Sequence, residues 1–303
     1  WYKYPYSIPK RMIKKYLLGQ KDVDIWMEYH KNNLRKVIDA NALKFYKEYI
    51  PHTQEVENIK QIKRLMELNC YDAVIVGSDQ VWRKCMTYNI GCENYFLKFV
   101  PDEIKKIAYS VSMGTDVNEY NRKEIKNLSK LYSRFDAVSV REESALSMFC
   151  KNGWVLPKAE WTLDPTLLLK VDDYVALIKS NNEVKDITLG KVFSYVLDMN
   201  DGIKQELEKC GKPFVVMGLK DAGNVSIEQW LNNIRCSDMV ITDSYHGVVF
   251  SIIFGKEFKY MGNIKRGNDR IASLMSITKN RMIEMKRSSL SYLSRNTKLE
   301  NNN

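Results

Sequence analysis

The chain has few histidines and no closely spaced cysteines, which limits the metal chemistry open to it. It contains three histidines and six cysteines in 303 residues. The cysteines lie at residues 70, 85, 92, 150, 210 and 236. None of them forms a CxxC pair, so no metal site is predicted. Scattered single cysteines are more typical of a reducing compartment than of a disulfide framework.

Long apolar runs are also absent from the sequence. The longest nearly pure runs, such as VVFSIIF at residues 248–254, are far shorter than a membrane span. Residues 1–20 are aromatic and basic, without the continuous apolar core of a signal peptide. A cytoplasmic location is therefore expected. The chain opens with Trp1 rather than Met, so we expect that a segment in front of it is missing.

Positive charge exceeds negative charge, with 47 Lys and Arg against 37 Asp and Glu and a formal net charge of +10. Such a charge favours anionic partners, which include phosphorylated small molecules, an acidic polymer, a membrane surface and nucleic acid. The N-terminal WYKYPYSIPKRMIKK suits a membrane surface or stacked bases, but also a partly buried surface helix. Elsewhere the lysines are spread along helices and no recognition motif occurs, so a nucleic-acid-binding protein is disfavoured.

Short apolar runs alternate with helical patterns along the chain. Residues 10–69 have helical spacing, and further helices are predicted at 118–133, before Cys210, at 226–235, after residue 244 and at 270–286. Predicted strands lie within residues 71–77, 105–114, 135–142, 190–198, 212–218, 237–243 and 256–262. This alternation is typical of two α/β domains with mainly parallel sheets. The aperiodic segment 154–169 is the predicted junction, giving domains at residues 1–160 and 161–303, and residues 296–303 are expected to fray.

Polar residues follow two of the N-terminal strands, at the edge where parallel sheets bind ligands. After VIVG come Ser78, Asp79 and Gln80, which fit a helix-capping turn; Gln80 and Trp82 add recognition groups that a cap does not need. After AVSV come Arg141 and Glu142. An arginine there can hold a carboxylate or phosphate with two parallel hydrogen bonds, and a surface Arg–Glu pair fits the spacing equally well.

The stretch ITDSYHGVVF at residues 241–250 has a histidine at a strand-to-helix corner. Asp243 or Ser244 can cap the helix, whose first N–H groups suit an anion. His246 can donate to a phosphate oxygen or pass a proton near neutral pH. Gly247 would leave room for a ligand to approach the backbone. A purely structural histidine is the alternative.

Two other segments are less distinctive. LDPT at residues 163–166 places Asp164 before a proline, which favours a structural turn over a catalytic acid. KRGNDR at residues 265–270 gathers Lys265, Arg266 and Arg270 in a solvated loop or a basic rim for an acidic substrate. The sequence contains no GxGxxG, GxxxxGK[ST], HExxH or GxSxG motif.

The motifs taken in order resemble the polysaccharide pyruvyl transferase family over about residues 70–285. They are YDAVIVGSDQVW, YFLKFV, KKIAYSVSMG, FDAVSVREESAL, LDPTLLL, ITDSYHGVVFSIIFGKEF and RIASLM. The resemblance implies two Rossmann-like domains facing a cleft, as in GT-B glycosyltransferases. It also implies transfer of a pyruvyl group from phosphoenolpyruvate onto a saccharide as a ketal, without a further cofactor. The acceptor would be a polysaccharide or a lipid-linked saccharide, and contact with the inner membrane face stays open.

The resemblance also assigns residues. The family's arginine and histidine, both associated with the anionic donor, fall on Arg141 and His246. Where some members have a basic residue, this chain has Ser244. The other predicted substrate-binding residues are Ser78, Gln80, Ser244, Gly247 and Arg270. Family members begin with a strand and an Asn/Gly-rich loop that are not found before residue 70, so the N-terminal domain is expected to be incomplete.

The implied reaction needs an anion clamp, an acid and a base. Protonation of the donor's methylene carbon makes C2 electrophilic, a sugar hydroxyl attacks, phosphate leaves, and a second hydroxyl closes the ketal. His246 is the candidate acid, and Asp79 or Glu142 the candidate base. A GT-B glycosyltransferase that uses a nucleotide sugar is the alternative, with Glu257 as a candidate for the donor ribose.

Overall fold

A computed structural model describes residues 7–87, 91–263 and 267–298. The N-terminal part is helical: α1 (Ser7–Met12) runs into a π-helical turn (Ile13–Leu17), followed by α2 (Met27–Tyr49) and α3 (Ile59–Asn69). The Asn58 side chain accepts from the Gln61 N–H and so fixes the start of α3. The described residues before position 70 contain no strand.

The first sheet is parallel and has four strands in the order β1-β2-β3-β4. The strands are β1 (Ala73–Val76), β2 (Lys105–Val111), β3 (Ala137–Val140) and β4 (Glu160–Trp161). The helices between them are α4 (Lys84–Thr87), α5 (Cys92–Tyr95), α6 (Arg122–Tyr132) and α7 (Glu143–Lys151). Strands β2 and β3 are almost wholly buried, as expected for the central strands of a parallel sheet.

An aromatic cluster fills the core beside this sheet, and Trp82 lies at its centre. Trp82 is fully buried, stacks on Phe96 at 4.2 Å between ring centroids, and meets Trp154 edge-on. Its indole Nε1 donates to the Tyr95 carbonyl. The prediction of Trp82 as a recognition group is therefore wrong, because its ring and its N–H are both used inside the core.

The second sheet is also parallel and has four strands, in the order β6-β5-β7-β8. The strands are β5 (Val192–Val196), β6 (Phe214–Gly218), β7 (Met239–Thr242) and β8 (Glu257–Tyr260). The helices are α8 (Val171–Ser180), α9 (Asp201–Lys209), α10 (Ile227–Cys236) and α11 (Tyr245–Ile253), with 3-10 turns at Pro165–Leu168 and Leu219–Asn224. The strand order reverses between β5 and β7, where ligands commonly bind in open α/β sheets.

The C-terminal segment differs from the prediction of one helix over residues 270–286. It forms two helices, α12 (Asp269–Met275) and α13 (Lys279–Thr297), and the Thr278 side chain accepts from the Arg281 N–H to start the second. The expected fraying from residue 296 is also wrong for the first two residues, because α13 continues to Thr297; residues 299–303 lie outside the described residues.

One helix from each half of the chain contacts the other half. In α13, Tyr292 is buried against the first sheet, and its hydroxyl donates to the Ala108 carbonyl. In α2, Asn41 donates to the Gly223 carbonyl at 2.8 Å. The strands divide between the two sheets after Trp161, near the predicted junction, and the domain boundary itself stays a prediction.

Candidate functional site

The carboxyl ends of four strands bring together side chains that are far apart in the sequence, and Asp164 is their common partner. Arg141, which follows β3, donates from Nη1 to Asp164 Oδ2 at 2.8 Å. Ser78, which follows β1, donates to the same oxygen at 2.9 Å. The Nε2 atom of His246, which follows β7, lies 4.0 Å from it. Both sheets therefore contribute to one cluster at their carboxyl edges.

Arg141 is held on every side. Its side chain is 1% exposed, Nη2 donates to Asp79 Oδ1 at 3.1 Å, and the guanidinium lies 4.3 Å from the ring centre of Tyr245. Burial opposes its charge, but Tyr245 and the carboxylates of Asp164 and Asp79 outweigh burial and raise the pKa of Arg141. Arg141 therefore stays charged, and only its Nε has no hydrogen-bond partner among the described residues.

Asp164 was predicted to form a structural turn, and in the structure it also contacts the cluster. Its Oδ1 accepts from the N–H and the hydroxyl of Thr166 and caps the 3-10 turn, as expected. Its Oδ2 faces Arg141, Ser78 and His246. Burial raises its pKa, but the charges of Arg141 and His246 prevail and lower the pKa of Asp164 to about 2. It is therefore a permanent anion at neutral pH, so the prediction was incomplete.

Asp79 is the accessible carboxylate of the cluster. Its backbone has a positive φ of 88° and is tied to the end of β2, because its carbonyl accepts from the Ser112 N–H at 3.0 Å. Its side chain is 62% exposed. Burial works against the charge, but the attraction of Arg141 and His246 exceeds it and keeps the pKa of Asp79 below its usual value. Asp79 is thus an ionised, reachable proton acceptor.

His246 lies at the first turn of α11 and is 39% exposed at its side chain. Burial lowers the pKa of His246, Asp164 opposes that effect and Arg141 adds to it, and the net result is a lowered pKa. This lowered pKa favours the neutral form of the imidazole in the free protein. A bound dianion beside it would favour the protonated form.

The hydrogen bonds at the start of α11 identify the residue that caps this helix. The Ser244 side chain accepts from the Gly247 N–H at 3.5 Å. Asp243 is not the cap; it accepts from the Leu197 and Asp198 N–H groups and so joins the ends of β5 and β7. The remaining first N–H groups of α11 have no partner within the helix, as at every helix start.

Gly247 has a packing reason to be glycine. A Cβ at this position would lie 2.3 Å from Thr242 Oγ1, so a side chain would push α11 away from β7. The place of the missing side chain is therefore filled by Thr242. Ligand contact at Gly247 stays a prediction.

The other predicted residues differ in how near they lie to the cluster. Gln80 accepts from Arg83 Nη1 at 2.9 Å and faces Gly114 rather than Asp164. Arg270 is buried, with its guanidinium 5.4 Å from the Tyr245 ring centre, and burial followed by repulsion from Arg141 lowers its pKa. Lys265 and Arg266 lie outside the described residues.

Two glutamates that the sequence singled out, Glu142 as a base and Glu257 for a donor ribose, lie in unsuitable places. Glu142 is completely buried and accepts from the Ser112 hydroxyl and the N–H groups of Met113 and Gly114, and burial raises its pKa. It cannot reach a substrate, so its prediction as a base is wrong. Glu257 is the first residue of β8 and thus lies at the opposite edge of the sheet from His246.

Sequence reasoning missed Tyr245, whose ring centre lies 4.3 Å from the Arg141 guanidinium and 5.4 Å from that of Arg270. The only signal was its place beside His246 at the strand end. Among the described residues, no group of three or more His, Cys, Asp or Glu is arranged to hold a metal ion. No described helix combines the length and apolar character that crossing a bilayer requires.

Comparison with known protein families identifies a match. A family model described as polysaccharide pyruvyl transferase matches residues 2–263, most of the chain. The match starts well before residue 70, where the resemblance was expected to begin, and ends before residue 285. No curated protein matches the chain.

Proposed function

Since the chain belongs to the polysaccharide pyruvyl transferase family and is thus a transferase, we propose that it moves the pyruvyl group of phosphoenolpyruvate onto two hydroxyls of a saccharide as a ketal. The observation that carries the proposal is the convergence of Arg141, Asp164 and His246 beside the first turn of α11. Phosphoenolpyruvate carries a carboxylate and a phosphate, and the cluster offers a guanidinium, an imidazole and free helix N–H groups.

The two carboxylates that contact Arg141 differ in exposure, and donor binding would depend on this difference. Asp164 is 2% exposed and keeps Arg141 oriented, whereas Asp79 is 62% exposed. An anionic group of the donor can replace Asp79 on Nη2 without disturbing Asp164. This exchange leaves Asp79 free to accept a proton from the sugar. The buried guanidinium of Arg270, 5.4 Å from the Tyr245 ring centre, adds further positive charge.

The proton transfers follow from the same arrangement. The donor's phosphate raises the pKa of His246, which then gives its proton to the methylene carbon. One sugar hydroxyl attacks C2 and loses its proton to Asp79, and phosphate departs and takes that proton. The second hydroxyl closes the ketal and returns a proton to His246, so both side chains end as they began. No step of this scheme needs a further cofactor.

The placement of the cluster supports a cleft between two Rossmann-like domains, similar to GT-B enzymes. Ser78 and Arg141 follow strands of the first sheet, and His246 follows a strand of the second. A saccharide entering between the two carboxyl edges would meet Asp79, which is exposed, and His246, which is half-buried.

Acceptor-dependent phosphate release tests the proposal. Phosphoenolpyruvate is incubated with a panel of saccharides, and free phosphate is measured. We expect release by the unaltered chain and a loss of at least about a hundredfold in His246→Asn and Arg141→Lys. His52→Asn and Arg122→Lys, at exposed positions away from the cluster, are the matched controls. Thermal stabilisation by a nucleotide sugar, with none by phosphoenolpyruvate, would favour the glycosyltransferase alternative and reject pyruvyl transfer.

We further propose that the acceptor is lipid-linked and that the N-terminal helices touch the inner membrane face. Tyr16, Leu17 and Leu18 are 70%, 78% and 64% exposed, and Lys14 and Lys15 lie beside them. Such a mixture suits an anionic lipid surface. We expect co-sedimentation with phosphatidylcholine vesicles that contain phosphatidylglycerol, and weaker binding of Leu17→Glu. Equal binding of the two proteins would contradict this contact.

A further inference from the structure

A cavity lies away from the Arg141–Asp164–His246 cluster, and none of the residues of that cluster line it. Its volume is about 270 Å³, and it lies where α2 meets the second half of the chain. Ligand sites are usually about 300 Å³ or larger, so this one suits a single small unit. Three groups in its wall point to one class of ligand.

The first group is the carboxylate of Glu228, in the first turn of α10. The residue is only 6% exposed, yet it lines the cavity. Its Oε2 accepts one long hydrogen bond, of 3.4 Å, from Asn181 Nδ2. Its Oε1 accepts none from the described residues. A carboxylate can accept several hydrogen bonds, so Glu228 has accepting capacity left for a group in the cavity that it lines.

The second group is an aromatic pair on α2. Phe45 and Tyr49 are one helical turn apart, with ring centroids separated by 4.7 Å, and both line the cavity. The Tyr49 hydroxyl lies 3.1 Å from the Ser180 hydroxyl, which ties α2 to the end of α8. The pair gives the cavity an apolar wall, and such a wall can cover the C–H face of a sugar ring.

The third group mixes donors with acceptors. Lys44 lines the cavity and only donates, whereas Glu228 only accepts. Asn41 uses its Nδ2 on the Ala222 and Gly223 carbonyls, which leaves its oxygen as an acceptor. A hydroxyl group both donates and accepts, so a ring with several hydroxyls matches this set. Glu48 and Glu183 line the cavity as well, so its wall is acidic, would repel an anion and offers several acceptors to hydroxyl groups.

We infer that this cavity binds one neutral pyranose unit of a saccharide, with the ring against Phe45 and Tyr49 and a hydroxyl donating to Glu228. The inference concerns binding alone and does not rest on the proposed transfer chemistry. In a protein whose acceptor is a glycan, such a site would hold a unit of the chain distant from the one being modified.

Saturation-transfer NMR on the full chain tests the inference. The probes are methyl β-galactopyranoside, methyl β-glucopyranoside and methyl α-mannopyranoside, without phosphoenolpyruvate. We expect at least one to bind, and its Kd to rise about tenfold or more in Glu228→Gln and in Tyr49→Leu. Tyr46→Leu is the matched control, because Tyr46 is an exposed aromatic residue on the same helix that does not line the cavity. Its Kd should stay within about twofold.

The other outcomes are equally definite. If none of the sugars binds, or if the binding persists in Glu228→Gln and Tyr49→Leu, the inference is wrong. Preferential binding of n-butylammonium would overturn it in favour of a cation site. His246→Asn separates the two hypotheses, because it should abolish phosphate release and leave sugar binding unchanged. Sugar binding by a chain that never releases phosphate would reject the proposed function alone.

Discussion

His246 differs from the other two histidines in its charged surroundings. His30 lies 2.9 Å from the exposed Asp24, and His52 contacts the Ile50 carbonyl at the surface. His246 instead has Arg141 and Asp164 as neighbours, one opposing and one favouring its protonation. The balance between these two charges, with burial, decides whether the imidazole can act as an acid.

We predict that the pKa of His246 is lower than that of an ordinary histidine in the free protein and rises when phosphoenolpyruvate binds. Burial lowers the pKa of His246, and the donor's negative charge would reverse this effect. NMR titration of the imidazole signals measures it, with His246→Asn to assign the resonance. Asp164→Asn should lower the pKa further, because Asp164 favours the protonated form.

The same shift has a consequence for stability. With a folded-state pKa below that of the unfolded chain, His246 binds its proton more readily when unfolded. It therefore subtracts stability as the pH falls below about 6.5 through the folded pKa. A pKa at or above 6.5 in the free protein, or one that falls on donor binding, would contradict this account of the site.

At the scale of elements, the junction between β7 and α11 positions His246. The Thr242 hydroxyl donates to the Tyr195 carbonyl and accepts from the Ser244 N–H. Gly247 packs against this threonine with no space for a Cβ. The strand end and the helix start thus form one close-packed unit.

We predict that Gly247→Ala destabilises the protein by about 1 to 2 kcal/mol, measured by urea unfolding. Overpacking costs about 1–3 kcal/mol, which exceeds the gain of about 1 kcal/mol from alanine's helix propensity. Gly77→Ala is the control, because no atom lies within 4 Å of its added Cβ, and its effect should stay within about 0.5 kcal/mol.

A double-mutant cycle identifies the cause of the Gly247 effect. Thr242→Ala removes the nearest atom, so the cost of Gly247→Ala should fall by about 1 kcal/mol in that background. Additive effects of the two substitutions would show that the Thr242 contact is not the reason for the glycine.

Sequence pattern predicted the strands well because buried parallel strands are apolar runs. Each of the seven predicted runs contains a strand. The two-residue β4 was not predicted, since so short a strand has no periodicity. The break between α12 and α13 was missed because the apolar spacing continues across Thr278.

The site was predicted in part. Arg141 and His246 stand at strand ends and could be singled out there. The central position of Asp164 depends on where the chain goes after β4, and the place of Tyr245 depends on how the two sheets meet. These are tertiary facts that local residue spacing does not contain. The burial of Glu142 is also a tertiary property. The sequence shows an acidic residue after a strand but does not indicate whether water reaches its side chain.

At the scale of the whole molecule, the two halves are joined by more than the linker. The Asp116 N–H donates to Asp269, and a Cβ on Gly267 would lie 1.7 Å from the Gly114 carbonyl oxygen. Tyr292 crosses to the first sheet in one direction, and α2 crosses to the second half in the other. Two independent domains would not share their outer helices in this way.

We therefore predict that the chain unfolds in a single cooperative transition, with equal calorimetric and van't Hoff enthalpies. Residues 1–160 and 161–303, expressed separately, should show no cooperative transition, because the first piece lacks α13, whose Tyr292 packs in its core, and the second lacks its contacts with α2. Tyr292→Ala should reduce the free energy of unfolding by about 3 kcal/mol. It should lower the midpoint of the single transition without dividing it into two. Leu290→Ala is the control, since Leu290 is 47% exposed on the same helix. Two separate transitions in the unaltered chain would show instead that the predicted domains fold alone and that the shared helices only dock on them.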